Sequence, residues 1–317
     1  MKRVLVTGAT GFVGSALVAR LAQAEGFATV AVARRPFAFP DGVETIQVRD
    51  LSELAPKLNG IDTIVHCAAR VHVLREETAD PLAAFRNDNV EATLRLAEDA
   101  ARAGVRRFVF LSSIKASGEE TFGAPFTELT QPQPETPYGQ SKLEAEEGLR
   151  SIAARTPLEI VNLRPPLVYA AHAGGNFARL LRWLRRGFPL PLGSVDNRRS
   201  TIALENLVDV IVRCIDHPKA ANELFLVSDG DDLSTPDMLR AIVEGMDREA
   251  VLLPFPVPLM RMAAQMLGQG DAARQVCGSL VLDSRKVRET LEWRPPLVAR
   301  AALKDAGAAF GANRVSR

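Results

Sequence analysis

The stretch "VLVTGATGFVGSALVARL" (residues 4–21) joins a short apolar run to a segment with helical spacing. Gly8, Gly11 and Gly14 stand between the two. Glycine permits a tight turn and lets backbone N–H groups approach a pyrophosphate closely, and the N-terminus of the following helix favours negative charge. The spacing G-x-x-G-x-x-G differs from the G-x-G-x-x-G fingerprint. Because the turn follows the first strand and opens a helix, it predicts a dinucleotide site; the alternative is a turn that only connects two elements.

Short runs rich in Val, Ile and Phe alternate with helical patterns along the first half of the chain. The runs are "RVLVTG", "ATVAVARR", "ETIQVRD", "DTIVHCAA", "RRFVFLSS" and "LEIVNLRPP". One long helical pattern, "AAFRNDNVEATLRLAEDAARAG", separates the fourth run from the fifth. Strands that alternate with helices form a parallel sheet covered on both faces. The sequence therefore predicts an α/β fold with a Rossmann-type, doubly wound parallel sheet.

From about residue 166 this rhythm changes, and amphipathic helices follow one another with few strands between them. We expect a dinucleotide-binding domain over residues 1–165 and a smaller, mixed α/β substrate-binding region over residues 166–317. A strand near residues 223–228 is expected to return to the main sheet. No segment is rich enough in Pro, Gly or Ser to act as a linker between the two parts.

Composition excludes several classes of function. The formal net charge of +1 provides no overall field for nucleic acid or an anionic membrane, so neither is an expected partner. The three cysteines form no CxxC pair, and the four histidines have no metal-ligand spacing. We therefore expect no disulfide framework, no metal and a reducing compartment, the cytoplasm. These residues are Cys67, Cys214, Cys277, His66, His72, His172 and His217.

The apolar stretch "VLLPFPVPLMRMAAQMLG" near the C-terminus contains three prolines and Arg261. These interruptions make it too short to span a bilayer. Its expected role is to cover the substrate pocket, and docking on a membrane surface is the alternative. The N-terminal segment is too short in apolar residues for a secretory signal.

Two arginines stand where the second strand ends. An acid at this position accepts from the ribose 2′-hydroxyl of NAD, but this chain has Arg34 and Arg35. A guanidinium matches a 2′-phosphate, which favours NADP over NAD. The alternative is a solvated basic pair at a strand end.

Several motifs follow the glycine turn in a fixed order, and together they resemble the extended short-chain dehydrogenases/reductases, in particular the nucleotide-sugar epimerases, dehydratases and ketoreductases. The resemblance covers nearly the whole chain. Its motifs are "TGATGFVG" at 7–14, "HCAA" at 66–69, "NVEAT" at 89–93, "LSSIKASGE" at 111–119, "PYGQSK" at 137–142, "LRPPLVY" at 163–169, "RRSTIALENLVDVI" at 198–211 and "GSLVLDSRKVRETLEW" at 278–293.

The resemblance implies which residues contact the cofactor and which carry the chemistry. Ser113, Tyr138 and Lys142 align with the catalytic trio of the family. The implied cofactor contacts are Gly8, Thr10, Gly11, Phe12, Val13, Gly14, Arg34, Arg35, Asp50, Leu51, Ala68, Ala69, Arg70, Asn89, Ser112, Tyr138, Lys142 and Pro165. The implied substrate contacts are Ser113, Asn176, Arg199 and Arg274, of which the two arginines and the helix opened by Asn176 suit a diphosphate.

Residue chemistry agrees with the implied trio. Tyr138 and Lys142 are four residues apart on a predicted helix and therefore share a face. A phenol has an ordinary pKa of about 10, and a nearby ammonium together with an oxidised nicotinamide would lower it. Gly139 costs about 1 kcal/mol in a helix relative to alanine, so we expect backbone to lie close to the ligand there. The alternative for Ser112 and Ser113 is a strand-end cap or turn.

The family carries out several reactions, and the residues distinguish some of them. The 4,6-dehydratases have an Asp-Glu pair after the strand-end hydroxyl residue, where this chain has Ile114 and Lys115. C4 epimerisation of a nucleotide-sugar, as in the UDP-hexose 4-epimerases, is the leading hypothesis. An NADPH-dependent ketoreductase is the alternative, and a non-enzymatic NADP-binding sensor is a third. Ala170 and Ala171 replace the Gly-Pro of relatives, which changes the expected sugar pocket. The resemblance also implies a homodimer.

Overall fold

The computed structural model describes residues 1–71 and 80–312, apart from the side chain of Asn176. Its central element is a seven-stranded sheet. The strands are β1 (Lys2–Thr7), β2 (Phe27–Ala33), β3 (Glu44–Gln47), β4 (Thr63–His66), β5 (Arg107–Leu111), β6 (Glu159–Arg164) and β9 (Glu223–Leu226). They pair in the order β3-β2-β1-β4-β5-β6-β9, and every pairing is parallel. The predicted Rossmann-type parallel sheet is confirmed.

Helices follow the strands in alternation through the first half of the chain and dominate the second half. A separate two-stranded parallel sheet consists of β7 (Leu167–Tyr169) and β8 (Thr201–Ala203). The α-helices are α1 (Phe12–Ala22), α2 (Pro81–Phe85), α3 (Ala92–Arg102), α4 (Pro137–Ala153), α5 (Gly175–Arg186), α6 (Leu204–Asp216), α7 (Thr235–Gly245), α8 (Val257–Met266), α9 (Gly270–Cys277), α10 (Arg285–Thr290) and α11 (Ala299–Ala312).

The two faces of the sheet are covered by different helices, as the period of two along a strand requires. In β1, Val4 and Val6 belong to one apolar cluster with residues of α1 and α6. Leu5 belongs to the opposite cluster, which includes residues of α3 and α4. All three side chains are fully buried. A strand that is apolar throughout is therefore explained by burial on both sides.

The last strand of the sheet comes from the C-terminal half of the chain. β9 pairs with β6 from Val161–Glu223 to Arg164–Leu226. Three C-terminal helices, α5, α7 and α11, pack together in a third apolar cluster. The boundary between residues 1–165 and 166–317 stays a prediction.

The long pattern before β5 is not a single helix. Between α2 and α3, residues Arg86–Glu91 form a π-helical turn. Such wide turns are rare and are frequently found at functional sites. The apolar pattern of the sequence did not indicate this one. Among the residues that the structure describes, none of the helices combines the length and the apolar character needed to cross a bilayer.

Replacing Leu5 with alanine is expected to lower the free energy of unfolding by about 2–5 kcal/mol, because it leaves a cavity between two close-packed layers. Leu5 is 0% exposed. Urea denaturation followed by circular dichroism measures the change. Leu129→Ala is the matched control, since Leu129 is 95% exposed and its truncation should change stability by no more than about 0.5 kcal/mol. Equal losses in the two variants would contradict the two-layer core.

Candidate active site

A cleft of about 800 Å³ opens at the carboxyl edge of the sheet. It lies beyond β1 and β4, where the strand order reverses, which is where ligands bind in sheets of this kind. Most of the residues expected to contact a cofactor line it. They are Gly8, Thr10, Gly11, Phe12, Val13, Gly14, Arg34, Asp50, Leu51, Ala68, Ala69, Arg70, Ser112, Tyr138, Lys142 and Pro165, with Ser113 beside them. Arg35 and Asn89 are not among the lining residues.

The glycine turn is close-packed against its own surroundings. Gly8 has φ +64, and a Cβ there would stand 2.6 Å from the backbone nitrogen of Ala68. A Cβ on Gly14 would stand 2.2 Å from the carbonyl oxygen of Gly8. Gly11 caps α1 without a side-chain hydrogen bond, and the first turn of α1 has no acidic residue. The free amide groups of that turn therefore suit an anion such as a pyrophosphate.

A buried histidine joins the ends of β1 and β4 behind the cleft. Thr7 Oγ1 lies 2.7 Å from His66 Nδ1, and His66 Nε2 lies 3.0 Å from Thr93 Oγ1. Burial lowers the pKa of His66 to about 3, and the charge of Lys142 acts in the same direction. The imidazole is therefore neutral at physiological pH and connects the two strands to α3. Its spacing in the sequence indicated no such role.

The π-helical turn places Asn89 beneath the cleft wall. Asn89 is buried, its Oδ1 accepts from the backbone N–H of Arg70 at 2.7 Å, and its Nδ2 donates to the carbonyl of Arg70 at 3.1 Å. The same amide donates to Ser141 Oγ at 3.0 Å. Asn89 thus holds the loop after β4 against α4 through the backbone of a residue that lines the cleft.

The first turn of α4 is built to lie against the strand-end segment that follows β5. Thr136 caps the helix by accepting from Gly139 N at 3.2 Å, and Pro137 occupies the first turn. A Cβ on Gly139 would stand 2.4 Å from the carbonyl oxygen of Lys115. This backbone contact within the protein accounts for the glycine, whereas a close approach to the ligand was expected from the sequence.

Tyr138 and Lys142 both line the cleft. The pKa of Tyr138 is not lowered, as the sequence led us to expect, but raised. Burial raises the pKa of Tyr138 to about 12, and a hydrogen bond with Ser113 opposes this. Burial lowers the pKa of Lys142 to about 8. Lys142 Nζ donates to the carbonyl of Leu111 at 2.9 Å and lies 4.5 Å from the centre of the Phe110 ring. Lys142 Nζ lies 5.9 Å from the centre of the Tyr138 ring, and the effect of burial on the pKa of Tyr138 outweighs that of the lysine's charge.

A buried ion pair lies one helical turn beyond Lys142. Glu146 is 0% exposed and accepts from Arg164 Nε at 2.9 Å and Nη2 at 2.5 Å. Ser112 donates a short hydrogen bond to the same carboxylate, and Arg164 also donates to Ser117 Oγ at 2.9 Å. The pair therefore ties α4 to the ends of β5 and β6. Sequence reasoning missed it, although the spacing of four from Lys142 put Glu146 on the same helix face.

The residues expected at the ribose and adenine lie at the far end of the cleft. Arg34 is exposed and lines the cleft, while its neighbour Arg35 is exposed and does not. Asp50 Oδ1 accepts from Ser52 N at 2.9 Å and caps the short helical segment Leu51–Lys57. These hydrogen bonds hold the pKa of Asp50 below its ordinary value.

Of the residues expected to bind substrate, Arg199 and Arg274 do not line this cleft. Arg199 Nη1 donates to the carbonyl of Gly278 at 3.0 Å. Arg274 forms ion pairs with Glu135 and with Asp271. Both guanidinium groups thus have protein partners.

Two further predicted positions fall partly or wholly outside the described residues. Asn176 stands in the first turn of α5, but its side chain is not described, and the whole of His72 lies outside the described ranges. Among the described residues, no cluster of three or more His, Cys, Asp or Glu side chains could hold a metal ion.

Known proteins resemble this chain along its whole length. A family model for the NAD dependent epimerase/dehydratase family matches residues 4–227. UDP-glucose 4-epimerase of Vibrio cholerae is 40% identical over 313 residues, which cover 98% of this chain and 95% of that protein. GDP-6-deoxy-D-mannose reductase of Pseudomonas aeruginosa is 26% identical over 317 residues, covering 96% of this chain and 95% of that protein. The solved structure of MoeE5 in complex with UDP-glucose and NAD is 26% identical, covers 99% of this chain and 100% of that one, and has a TM-score of 0.78.

Replacing Lys142 with methionine is expected to stabilise the protein more at neutral pH than above pH 10.5. Because the folded-state pKa of about 8 lies below the ordinary 10.5, the lysine's contribution to stability is present above 10.5 and is lost as pH falls from there through 8. Methionine has no such dependence. Urea denaturation across this range measures the difference, which should shrink as pH rises. Lys57→Met, at an exposed lysine, is the control. A difference that does not change with pH would contradict the buried charge.

Proposed function

The chain belongs to the NAD-dependent epimerase/dehydratase family, and we propose that it catalyses C4 epimerisation of a nucleotide-sugar in the manner of a UDP-glucose 4-epimerase. The observation that carries this proposal is the grouping of Ser113, Tyr138 and Lys142 along one cleft that also contains the glycine turn. Similarity to the Vibrio cholerae UDP-glucose 4-epimerase supports the reaction and the UDP-sugar substrate class.

The cleft fits a nicotinamide dinucleotide. The free amides at the start of α1 suit its pyrophosphate, and the Gly8 and Gly14 contacts leave no room for side chains in the turn. Asp50 and Leu51 would lie at the adenine end, and Ala68, Ala69 and Arg70 along the middle. When bound, the nicotinamide supplies hydride transfer to and from a carbinol carbon and, in its oxidised form, a positive charge.

The chain's own residues would manage the proton at the sugar oxygen. Tyr138 would exchange a proton with the C4 hydroxyl, and Ser113 would hold that oxygen by a hydrogen bond. The protein by itself keeps the phenol protonated, because its pKa is about 12. The positive charges of Lys142 and of the bound, oxidised nicotinamide would favour the phenolate, which can then accept the proton of the C4 hydroxyl. The carbonyl of Leu111, at the end of β5, holds the ammonium of Lys142 by a hydrogen bond. Lys142 would bind the nicotinamide ribose and place a positive charge near the phenol. The resulting 4-keto sugar would rotate within the site, so that its opposite face meets the cofactor, before Tyr138 returns the proton to the C4 oxygen.

The proposed diphosphate contacts lie outside the cleft and require a rearrangement. Arg199 and the amide groups at the start of α5 would receive the substrate's diphosphate. Arg274 can join them only by leaving Glu135, to which it is bound at 2.5 Å. This ion pair is exposed and therefore weak, so an anionic substrate can displace it.

A specific observation favours an NADPH-dependent ketoreductase as the second candidate. Arg34, exposed at the ribose end of the cleft, suits a 2′-phosphate, and a reductase releases its cofactor after each turnover. The similarity to GDP-6-deoxy-D-mannose reductase points in the same direction. Elimination as in the 4,6-dehydratases is disfavoured, because Ile114 and Lys115 stand where those enzymes have the acid pair that eliminates water.

A homodimer built on α3 and α4 is part of the proposal, by resemblance to the family. The two helices pack closely within the chain, where a Cβ on Gly148 would stand 2.6 Å from a methyl group of Leu94. Their outer faces remain for a partner. The three cysteines are free, which supports a reducing compartment such as the cytoplasm.

We predict that the purified protein interconverts UDP-glucose and UDP-galactose without added cofactor. The anomeric proton signals in NMR spectra follow the reaction directly. Tyr138→Phe should reduce the rate by about 10²–10⁴-fold, the range of general acid–base catalysis, and leave cofactor affinity unchanged. If no UDP-sugar changes until NADPH and a keto-sugar are supplied, the reductase replaces the epimerase. Unaltered turnover in Tyr138→Phe would remove the catalytic assignment.

Arg34→Gln is expected to weaken NADPH binding about tenfold or more and to leave NADH binding nearly unchanged, because it removes a charged donor to the 2′-phosphate. Titration of cofactor fluorescence measures both affinities. Arg35→Gln is a matched control, since Arg35 has the same charge one residue away but does not line the cleft. If Arg34→Gln binds NADPH as wild type does, the preference for NADP has no basis.

A further inference from the structure

One exposed face of α5 carries three arginines around a tryptophan. Arg179, Arg182, Trp183 and Arg186 are separated by three, one and three residues, so they share a helix face. All four are exposed, Trp183 by 51%. None of the three arginines forms a hydrogen bond or an ion pair with another residue of the described chain. This face therefore presents unpaired positive charge beside an aromatic ring.

The helix α8 presents an apolar face to solvent. No residue of α8 is buried. Leu259, Met262 and Met266 are separated by three and four residues and lie on one face, with exposures of 49%, 51% and 79%. A helix of a globular protein ordinarily buries its apolar face against the core. None of these three side chains belongs to a buried apolar cluster of the described chain.

Backbone pairing joins the segment that follows α5 to the segment that precedes α8. Leu190, just beyond α5, donates its N–H to Val251 O at 2.9 Å and accepts from Leu253 N at 2.8 Å. Leu190 is buried, whereas Val251 and Leu253 are about half exposed. Phe188 before this pairing and Phe255 after it are also exposed. We call these four exposed residues, with the α5 and α8 faces, the basic-apolar surface.

The charges of these segments are of one sign. Residues 175–195 and 251–270 contain no Asp or Glu. The second segment has a single charge, Arg261, which is bound to Glu120 at 3.2 Å. The unpaired arginines of α5 are thus not neutralised by any acid of these two segments.

We propose that the basic-apolar surface docks on an anionic lipid membrane. Apolar side chains of α8 and of residues 251–255 would enter the boundary between headgroups and acyl chains, and the arginines of α5 would bind lipid phosphates. Trp183 suits the same boundary, where tryptophan is enriched. A two-fold contact between copies of the chain that is centred on α5 would instead bring unpaired arginines of like charge together at its axis. Charge complementarity therefore selects the lipid.

This proposal differs from the expectation, drawn from a net charge of +1, that no membrane is a partner. Net charge averages over the whole surface, and here positive charge is concentrated on one helix. The docking does not depend on the proposed epimerase reaction, because no residue of the basic-apolar surface lines the cleft.

The test uses the full chain and vesicles of phosphatidylcholine, with or without phosphatidylglycerol. Trp183 is one of two tryptophans; the other, Trp293, is 3% exposed and donates to Asp209 at 2.9 Å. Anionic vesicles should shift tryptophan emission to shorter wavelength, and Trp183→Phe should abolish the shift. Co-sedimentation should give binding that requires phosphatidylglycerol and falls as salt is raised.

Matched double variants separate the contributions of charge and apolar contact. Arg182→Gln with Arg186→Gln should weaken partitioning about 30-fold, the effect of removing two charges near an anionic surface. Met262→Ser with Met266→Ser should weaken it as well. The controls are Arg20→Gln with Arg150→Gln and Phe122→Ser with Leu129→Ser, all at exposed positions elsewhere. Absence of vesicle binding, equal losses in test and control variants, or a dimer in solution that the methionine variant dissociates would each overturn the proposal.

Discussion

The buried ion pair between Glu146 and Arg164 is the constraint on which the geometry of the proposed catalytic residues depends. It joins α4, which carries Tyr138 and Lys142, to the ends of β5 and β6, and Ser112 donates into the same carboxylate. A buried pair of this kind costs desolvation, so its net contribution to stability is small, but removing one partner leaves an uncompensated charge. The effect of the pair here is to fix the position of α4 relative to the ends of β5 and β6. The helix and the strand ends cannot slide past each other without breaking several charged hydrogen bonds.

The same pair contributes to the electrostatics around Lys142. Burial depresses the lysine's pKa to about 8, and the negative charge of Glu146 one turn away limits the depression. The ammonium is further held by the carbonyl of Leu111 and by the face of Phe110. His66 stacks on the Phe110 ring. Burial holds the pKa of His66 at about 3, so the imidazole is neutral and adds no second cation. The ammonium of Lys142 is thus the cation that this group of side chains holds, and His66 beside it stays uncharged.

Patterns in the sequence were sufficient for the sheet and the glycine turn, and the family resemblance indicated most of the residues that line the cleft. Buried parallel strands are continuous apolar runs, and glycines at a strand–helix junction are typical of turns that bind a dinucleotide. Three features could not be read from such patterns. The π-helical turn at Arg86–Glu91 is only six residues long and lies between two α-helical segments, so the pattern around it is helical. The contact of Gly139 with Lys115 O depends on residues distant in sequence. The raised pKa of Tyr138 results from burial that spacing along one helix does not reveal.

The return of β9 to the sheet makes the two halves of the chain interdependent. β6 has β5 on one side and β9 on the other, and its central residues are buried. A fragment ending at the predicted boundary would uncover the hydrogen-bonding edge of β6, with its apolar side chains, as a template for association with other chains. A fragment that contains only the predicted cofactor-binding region would therefore lack β9 and would not fold as an independent unit. A chimaera of two relatives must for the same reason exchange individual residues and keep the whole sheet from one chain.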